Sequence, residues 1–157
     1  HCPGYYTDIG NIALQARKLG ITVPMMGGDG WDSVKLPEIA GPAIEGSFYS
    51  NHYSPQDTRP EVKAFVDKYE KTYGQTPDAL AALGYDAAKI LFAAMERATS
   101  LGGADLAKAI SETKGHSGVT GMISLDAQRN ALKSAVVVKL EGGKPVFVTN
   151  VDPPKAD

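Results

Sequence analysis

Cysteine is almost absent from this chain. Cys2 is the only one in 157 residues, which excludes an internal disulfide and leaves the redox compartment open. Its place at the extreme N-terminus suits a small buried hydrophobe better than a nucleophile. Histidine is nearly as scarce: His1, His52 and His116 are too dispersed for a metal-ligand spacing. There is no excess of charge of one sign. Sixteen basic residues stand against 18 acidic ones, for a net charge of −2 and a pI near 5.9, so nothing favours nucleic acid or an anionic membrane surface. Long hydrophobic runs are missing too, because the longest helical pattern is interrupted by Gly84, Tyr85, Asp86 and Lys89, and no stretch reaches the length of a membrane span. With 43% hydrophobic residues and a mean hydropathy of −0.19, the composition is that of a globular domain able to bury a sizeable core.

Catalytic signatures are equally thin. Gly28-Asp29-Gly30-Trp31-Asp32-Ser33 begins like a dinucleotide fingerprint but carries serine at the third glycine position, and no acidic ribose ligand follows at a strand end. Ser111-Glu112-Thr113-Lys114 matches the Ser-x-x-Lys pattern of acyl-transfer enzymes without its companion motifs. No phosphate-binding loop and no nucleophile elbow occur. The expectation is a chain without cofactor or metal, and a binding protein rather than an enzyme. The sequence opens at His1 with neither an initiating Met nor a signal-like pattern, so a processed chain or a piece of a longer protein is expected.

The periodicity predicts alternating strands and helices. Residues 1–6 read as the tail of a strand. Asp8 then caps a helix carrying Ile9, Ile12, Ala13, Ala16 and Leu19 on one face, with Gly20 as its stop. Residues 21–26 form an apolar run consistent with a buried parallel strand, although Pro24 argues against a central ladder position. A brief helix capped by Asp32 or Ser33 runs to residue 39, and a strand covers 46–49. A helix over 59–73 has Pro60 in its first turn and Gly74 after it. Thr76 is expected to cap the longest helix, with Pro77 opening it. That helix reaches about residue 99 with Leu80, Leu83, Ala87, Ile90, Leu91, Ala94 and Met95 on a wide apolar face. A further helix spans 104–113. Strands follow around Met122–Leu125, 135–138 and 146–148, the last two joined across Gly142-Gly143, and the tail at 152–155 is expected to fray. The pattern is that of an α/β protein whose sheet ends in an antiparallel edge.

Two loops stand out, Gly4-Tyr5-Tyr6-Thr7-Asp8 and Gly27-Gly28-Asp29-Gly30-Trp31-Asp32. One βα unit separates them, so both should lie at one edge of a parallel sheet, where open α/β sheets bind ligands. An aromatic face beside a carboxylate suits an ammonium group. Asp29 has a bland alternative, capping the turn that follows it. Tyr5 and Tyr6 point to opposite sides of an extended segment, and periodicity does not choose between them. Trp31 either closes over a ligand or anchors the short helix on the sheet. Tyr49, His52 and Tyr53 also gather near a strand end, where loop packing accounts for them.

At these residues the chain resembles the periplasmic branched-chain amino acid binding proteins, the type I solute-binding components of ABC transporters. The resemblance rests on Gly4-Tyr5-Tyr6-Thr7-Asp8-Ile9-Gly10, Gln15-Ala16-Arg17-Lys18-Leu19-Gly20, Met26-Gly27-Gly28-Asp29-Gly30 and Ala43-Ile44-Glu45-Gly46. It continues through Leu83-Gly84-Tyr85-Asp86 and Gly118-Val119-Thr120-Gly121, with Leu125-Asp126 after them, and so covers nearly the whole chain in order.

The resemblance implies an αβα sandwich with a mostly parallel sheet and an antiparallel C-terminal edge, forming part of two lobes that close over an amino acid. It implies that Tyr5 and Asp29 hold the ligand's ammonium; Tyr6 and Trp31 are further candidates, from their place in the two loops, for shaping the cleft. Asp29 is one methylene shorter than the glutamate frequent in that family. Residues 1–75 would be βα units of the second lobe, 76–117 helices completing the first lobe, and 118–157 a hinge-proximal strand with the C-terminal hairpin. The implied partners are a branched-chain or related small amino acid (or an amide) and an ABC permease, and the implied location is periplasmic or extracellular. The orphaned face of the long helix would be covered by a second copy or by the remaining N-terminal portion. Competing readings are a ligand-sensing domain of a receptor on the same fold, and a fragment that binds nothing and self-associates.

Overall fold

The computed structural model describes residues 1–153. In chain order its elements are α1 (Tyr6–Lys18), β1 (Met26–Gly27), α2 (Lys35–Ala40), β2 (Phe48–Asn51), α3 (Pro60–Tyr73), α4 (Ala79–Arg97) and α5 (Gly103–Ser111). These are followed by β3 (His116–Gly118), β4 (Gly121–Leu125), β5 (Ala131–Leu132), β6 (Ala135–Glu141) and β7 (Lys144–Val151), and short 3-10 turns cover Asp29–Trp31 and Gly41–Ile44. The chain forms two compact units. One joins His1–Gln56 to Ala135–Val151, and the other is built on Asp57–Ser134.

The first unit holds a four-stranded sheet in the order β1-β2-β6-β7. β1 runs parallel to β2, whereas β2–β6 and β6–β7 are antiparallel. The sheet is therefore mixed, with a smaller parallel share than the expected mostly parallel one. Ile9 and Ala13 of α1, Leu36 and Ala40 of α2, and Tyr49, Val136, Val138 and Leu140 of the sheet form one core. On β6 every second residue is buried, Val136, Val138 and Leu140, as the two-residue strand period requires. The β6–β7 hairpin turns at Gly142 and Gly143, both at positive φ, the conformation that two-residue hairpin loops demand. The Glu45 carboxylate accepts from the Gly142 amide at 2.8 Å.

Several local expectations change here. Residues 1–5 form no strand: the Cys2 amide donates to the Met26 carbonyl at 2.7 Å, and one such bond does not make a ladder. Tyr5, extended, is the N-cap of α1, and Asp8 sits in the first turn, where its charge faces the positive helix end. The run at 21–26 supplies a strand only at its last residue. Pro24 offers no amide, Ile21 and Val23 are exposed, and the Arg17 guanidinium donates to the carbonyls of Ile21, Val23 and Ala43. A side chain thus satisfies the carbonyls that a neighbouring strand would have taken. α2 starts at Lys35 with Val34, rather than Asp32 or Ser33, at its N-cap, and β2 starts two residues later than expected, beyond the positive-φ Gly46.

The second unit carries α3, α4 and α5 with a sheet ordered β3-β4-β5. α3 matches its expectation, with Pro60 at its start and Gly74 in the left-handed conformation after it. α4 is capped by Asp78, whose carboxylate accepts from the Ala81 amide at 2.8 Å. Thr76, the expected cap, instead donates its hydroxyl to Glu70 at 2.7 Å. Val62, Phe65, Ala82, Ala94, Val119 and Ile123 are buried, whereas Leu80, Leu91, Phe92 and Met95 of α4 stay exposed. The short strands β3 and β5 are not evident from periodicity. Of the tail expected to fray, Asp152 and Pro153 have no regular structure, and residues 154 and 155 lie outside the described residues.

Candidate functional site

The register of the parallel pair places the site. Met26 stands opposite Phe48 and Gly27 opposite Tyr49, so the chain leaves β1 toward Asp29 and leaves β2 toward His52 at the same sheet edge. This is the carboxyl edge, outside which α/β sheets take their ligands. The N-terminal segment reaches it as well. A Cβ on Gly30 would lie 2.6 Å from the Gly4 carbonyl oxygen and 3.3 Å from Cδ1 of Tyr5. The two loops singled out in the sequence are therefore in direct contact, and glycine at 30 is what lets them approach.

Tyr5 and Tyr6 part as an extended segment entering a helix should. Tyr5 is 72% exposed, whereas Tyr6 is half-buried and packs against the core. The Asp29 side chain is 64% exposed. Its turn is entered through Gly28, and its carboxylate faces the imidazole of His52, with Oδ2 3.2 Å from Nε2. Among the described residues no backbone amide is paired with that carboxylate, so the turn-capping alternative does not describe it. Asp29 and Tyr5 thus combine a mostly exposed carboxylate and a mostly exposed aromatic ring on adjoining loops.

Trp31 requires a correction. It is 1% exposed, its Nε1 donates to the Cys2 carbonyl at 3.2 Å, and its ring lies 6.2 Å from that of Tyr49. It is a core anchor that ties the loop to the N-terminal segment, with no ring surface left to shape a cleft. Beneath it, the Tyr49 hydroxyl donates to Asp32 Oδ1 at 3.2 Å. Burial first, then the negative charge of Asp32 and this hydrogen bond, hold the Tyr49 phenol well above its ordinary pKa.

His52 is the residue that sequence reasoning assigns to loop packing. Its only signal is a place beside Tyr49 and Tyr53 near a strand end, and its meeting with Asp29 depends on the β1–β2 register. Among the described residues no group of three His, Cys, Asp or Glu side chains is placed to hold a metal ion.

The periplasmic binding protein family model matches residues 4–144. A Leu/Ile/Val-binding protein homolog of Brucella suis is 30% identical over 141 residues, covering 89% of this chain and 38% of its own length. Among solved structures, the leucine binding protein LivK of Thermotoga maritima superposes with a TM-score of 0.88 at 41% identity, covering 96% of this chain and 43% of that one. The branched-chain amino acid transporter substrate binding protein LivJ of Streptococcus pneumoniae, solved with isoleucine, gives 0.81 at 32% identity, covering 96% and 43%. This chain therefore spans about two fifths of the length of the relatives it matches. The match runs through both loops of the site and most of both units, so the chain belongs to the periplasmic binding protein family, whose members bind solutes for transport rather than transform them.

Proposed function

We propose that this chain is the ammonium-gripping part of an extracytoplasmic solute-binding protein that captures a branched-chain or related small amino acid and delivers it to an ABC permease. The observation that carries this reading is the contact of the Gly4-Tyr5 loop with Gly30, which brings the exposed Tyr5 ring beside the loop that presents Asp29. A carboxylate accepting from an ammonium is worth roughly 1.5–3 kcal/mol, and an aromatic face beside it roughly 0.5–2 kcal/mol. Both gains grow as water is excluded. Closure of a second wall over the ligand, a population shift between open and closed forms, is the mechanism that fits such an exposed half-site.

In this reading residues 1–56 and the C-terminal hairpin belong to the ammonium-binding lobe, and residues 57–134, α3 included, belong to the other lobe, an earlier boundary than the expected one at 75. The exposed Leu80, Leu91, Phe92 and Met95 of α4 support a covering segment from the rest of the protein. Titration calorimetry with L-leucine, L-isoleucine and L-valine tests the proposal. The full-length protein is expected to bind at least one of them at micromolar concentration, and the 157-residue chain alone to bind far more weakly. Micromolar binding by the isolated chain, or none by the full-length protein, overturns it. The same α4 face favours one second reading, self-association of the isolated chain. A monomeric mass in solution at high concentration rules that out.

A further inference from the structure

We infer that His52 is a positioning residue for the ligand carboxylate Asp29. The inference rests on the reading that Asp29 receives an ammonium, and deepens it.

Asp29 stands between Gly28 and Gly30 at the start of a 3-10 turn that holds its backbone, but most of its carboxylate is in water. A carboxylate so placed samples many orientations, which dilutes any one binding geometry. His52 supplies the missing restraint. It follows the last residue of β2, Asn51, which is buried, and precedes Tyr53, which is buried as well. The Asn51 side-chain oxygen accepts from the His52 amide at 2.8 Å. The imidazole is thus carried by a strand end held on both sides. In the tautomer protonated at Nε2, it donates to Asp29 Oδ2 across 3.2 Å. That bond occupies one carboxylate oxygen and leaves Oδ1 for an ammonium N–H. A donor fixed on the sheet end aims an acceptor side chain that is mostly exposed, as ligand groups in precise sites are commonly supported.

The test is L-leucine calorimetry on the full-length protein with His52→Ala, His52→Phe, His52→Gln, Asp29→Asn and the double variants that combine Asp29→Asn with each change at 52. His52→Ala and His52→Phe, the second keeping a ring of similar bulk, are expected to weaken binding roughly three- to tenfold. His52→Gln, which retains a neutral donor, should recover most of that loss. In the Asp29→Asn background the changes at 52 should have little further effect, because their route to the ligand is gone. Unchanged affinity in both His52→Ala and His52→Phe overturns the inference, as does a loss that persists undiminished in the Asp29→Asn background. If Asp29→Asn alone binds leucine like the wild type, the underlying ammonium reading fails instead, and the two failures are distinct.

Discussion

Gly27 lies flat against the indole of Trp31. A Cβ at residue 27 would fall 2.0 Å from Cε2 and 2.2 Å from Nε1 of that ring, closer than atoms can stand. The glycine lets the last residue of β1 pass under a fully buried aromatic side chain, and the indole in turn bonds the Cys2 carbonyl. The loop that presents Asp29 is therefore seated on a packed ring.

Gly27→Ala should displace Trp31 and lower stability by about 1–3 kcal/mol or more, the usual cost of overpacking a core. Trp31 is the only tryptophan, so its emission reports directly. A red shift in the native state together with a lower urea midpoint is expected, and an unchanged spectrum and midpoint would show that the ring has room.

Tyr49 gives a prediction in alkaline solution. Burial, the Asp32 charge and the hydrogen bond to Asp32 keep the folded phenol protonated above its ordinary value near 10. The unfolded chain releases that proton at about pH 10 while the folded chain keeps it, so stability present below that pH is lost as pH rises beyond it. The urea midpoint of the wild type should fall between about pH 9 and pH 11, and Tyr49→Phe should flatten that fall. Parallel curves for the two proteins would remove Tyr49 as the cause.

Asp86, buried on α4, accepts from the amides of Val119 and Thr120 at 2.8 and 2.7 Å. Removing the carboxylate strands two buried donors, each costing about 1–3 kcal/mol. Asp86→Ala is expected to destabilise by roughly 2–5 kcal/mol, with Asp86→Asn less harmful because one amide keeps an acceptor. Faster hydrogen exchange at Val119 and Thr120 than in the flanking strands β3 and β4 locates the damage, and uniform exchange argues for a diffuse cause.

At the proposed ligand site, Asp29→Ala in the full-length protein should weaken leucine binding roughly 10- to 100-fold. Tyr5→Ala should cost less, roughly three- to thirtyfold, and Tyr6→Phe least, since Tyr6 packs against the core. Competition binding orders the three. Equal effects of Asp29→Ala and Tyr6→Phe remove Asp29 from the site.

The amino-acid sequence by itself determined the alternation of elements, the helix of Pro60–Tyr73 with its proline and glycine ends, the Gly-Gly hairpin, and the loops that carry Tyr5 and Asp29. Each is a local property, written in turn chemistry and side-chain period. Tertiary structure decided what local pattern cannot hold. Whether 21–26 became a strand depended on Arg17 reaching its carbonyls from α1. Which tyrosine faced outward depended on the point where α1 began. Trp31 became a core anchor because Gly27 made room for its ring, and His52 met Asp29 only through the parallel register of β1 and β2. The Asp29–His52 contact joins residues 23 apart in the chain and arises only when the sheet brings them together. The shorter-range contacts of Arg17 and Gly27 depend instead on the backbone path that packing selects, which turn chemistry and side-chain period do not specify.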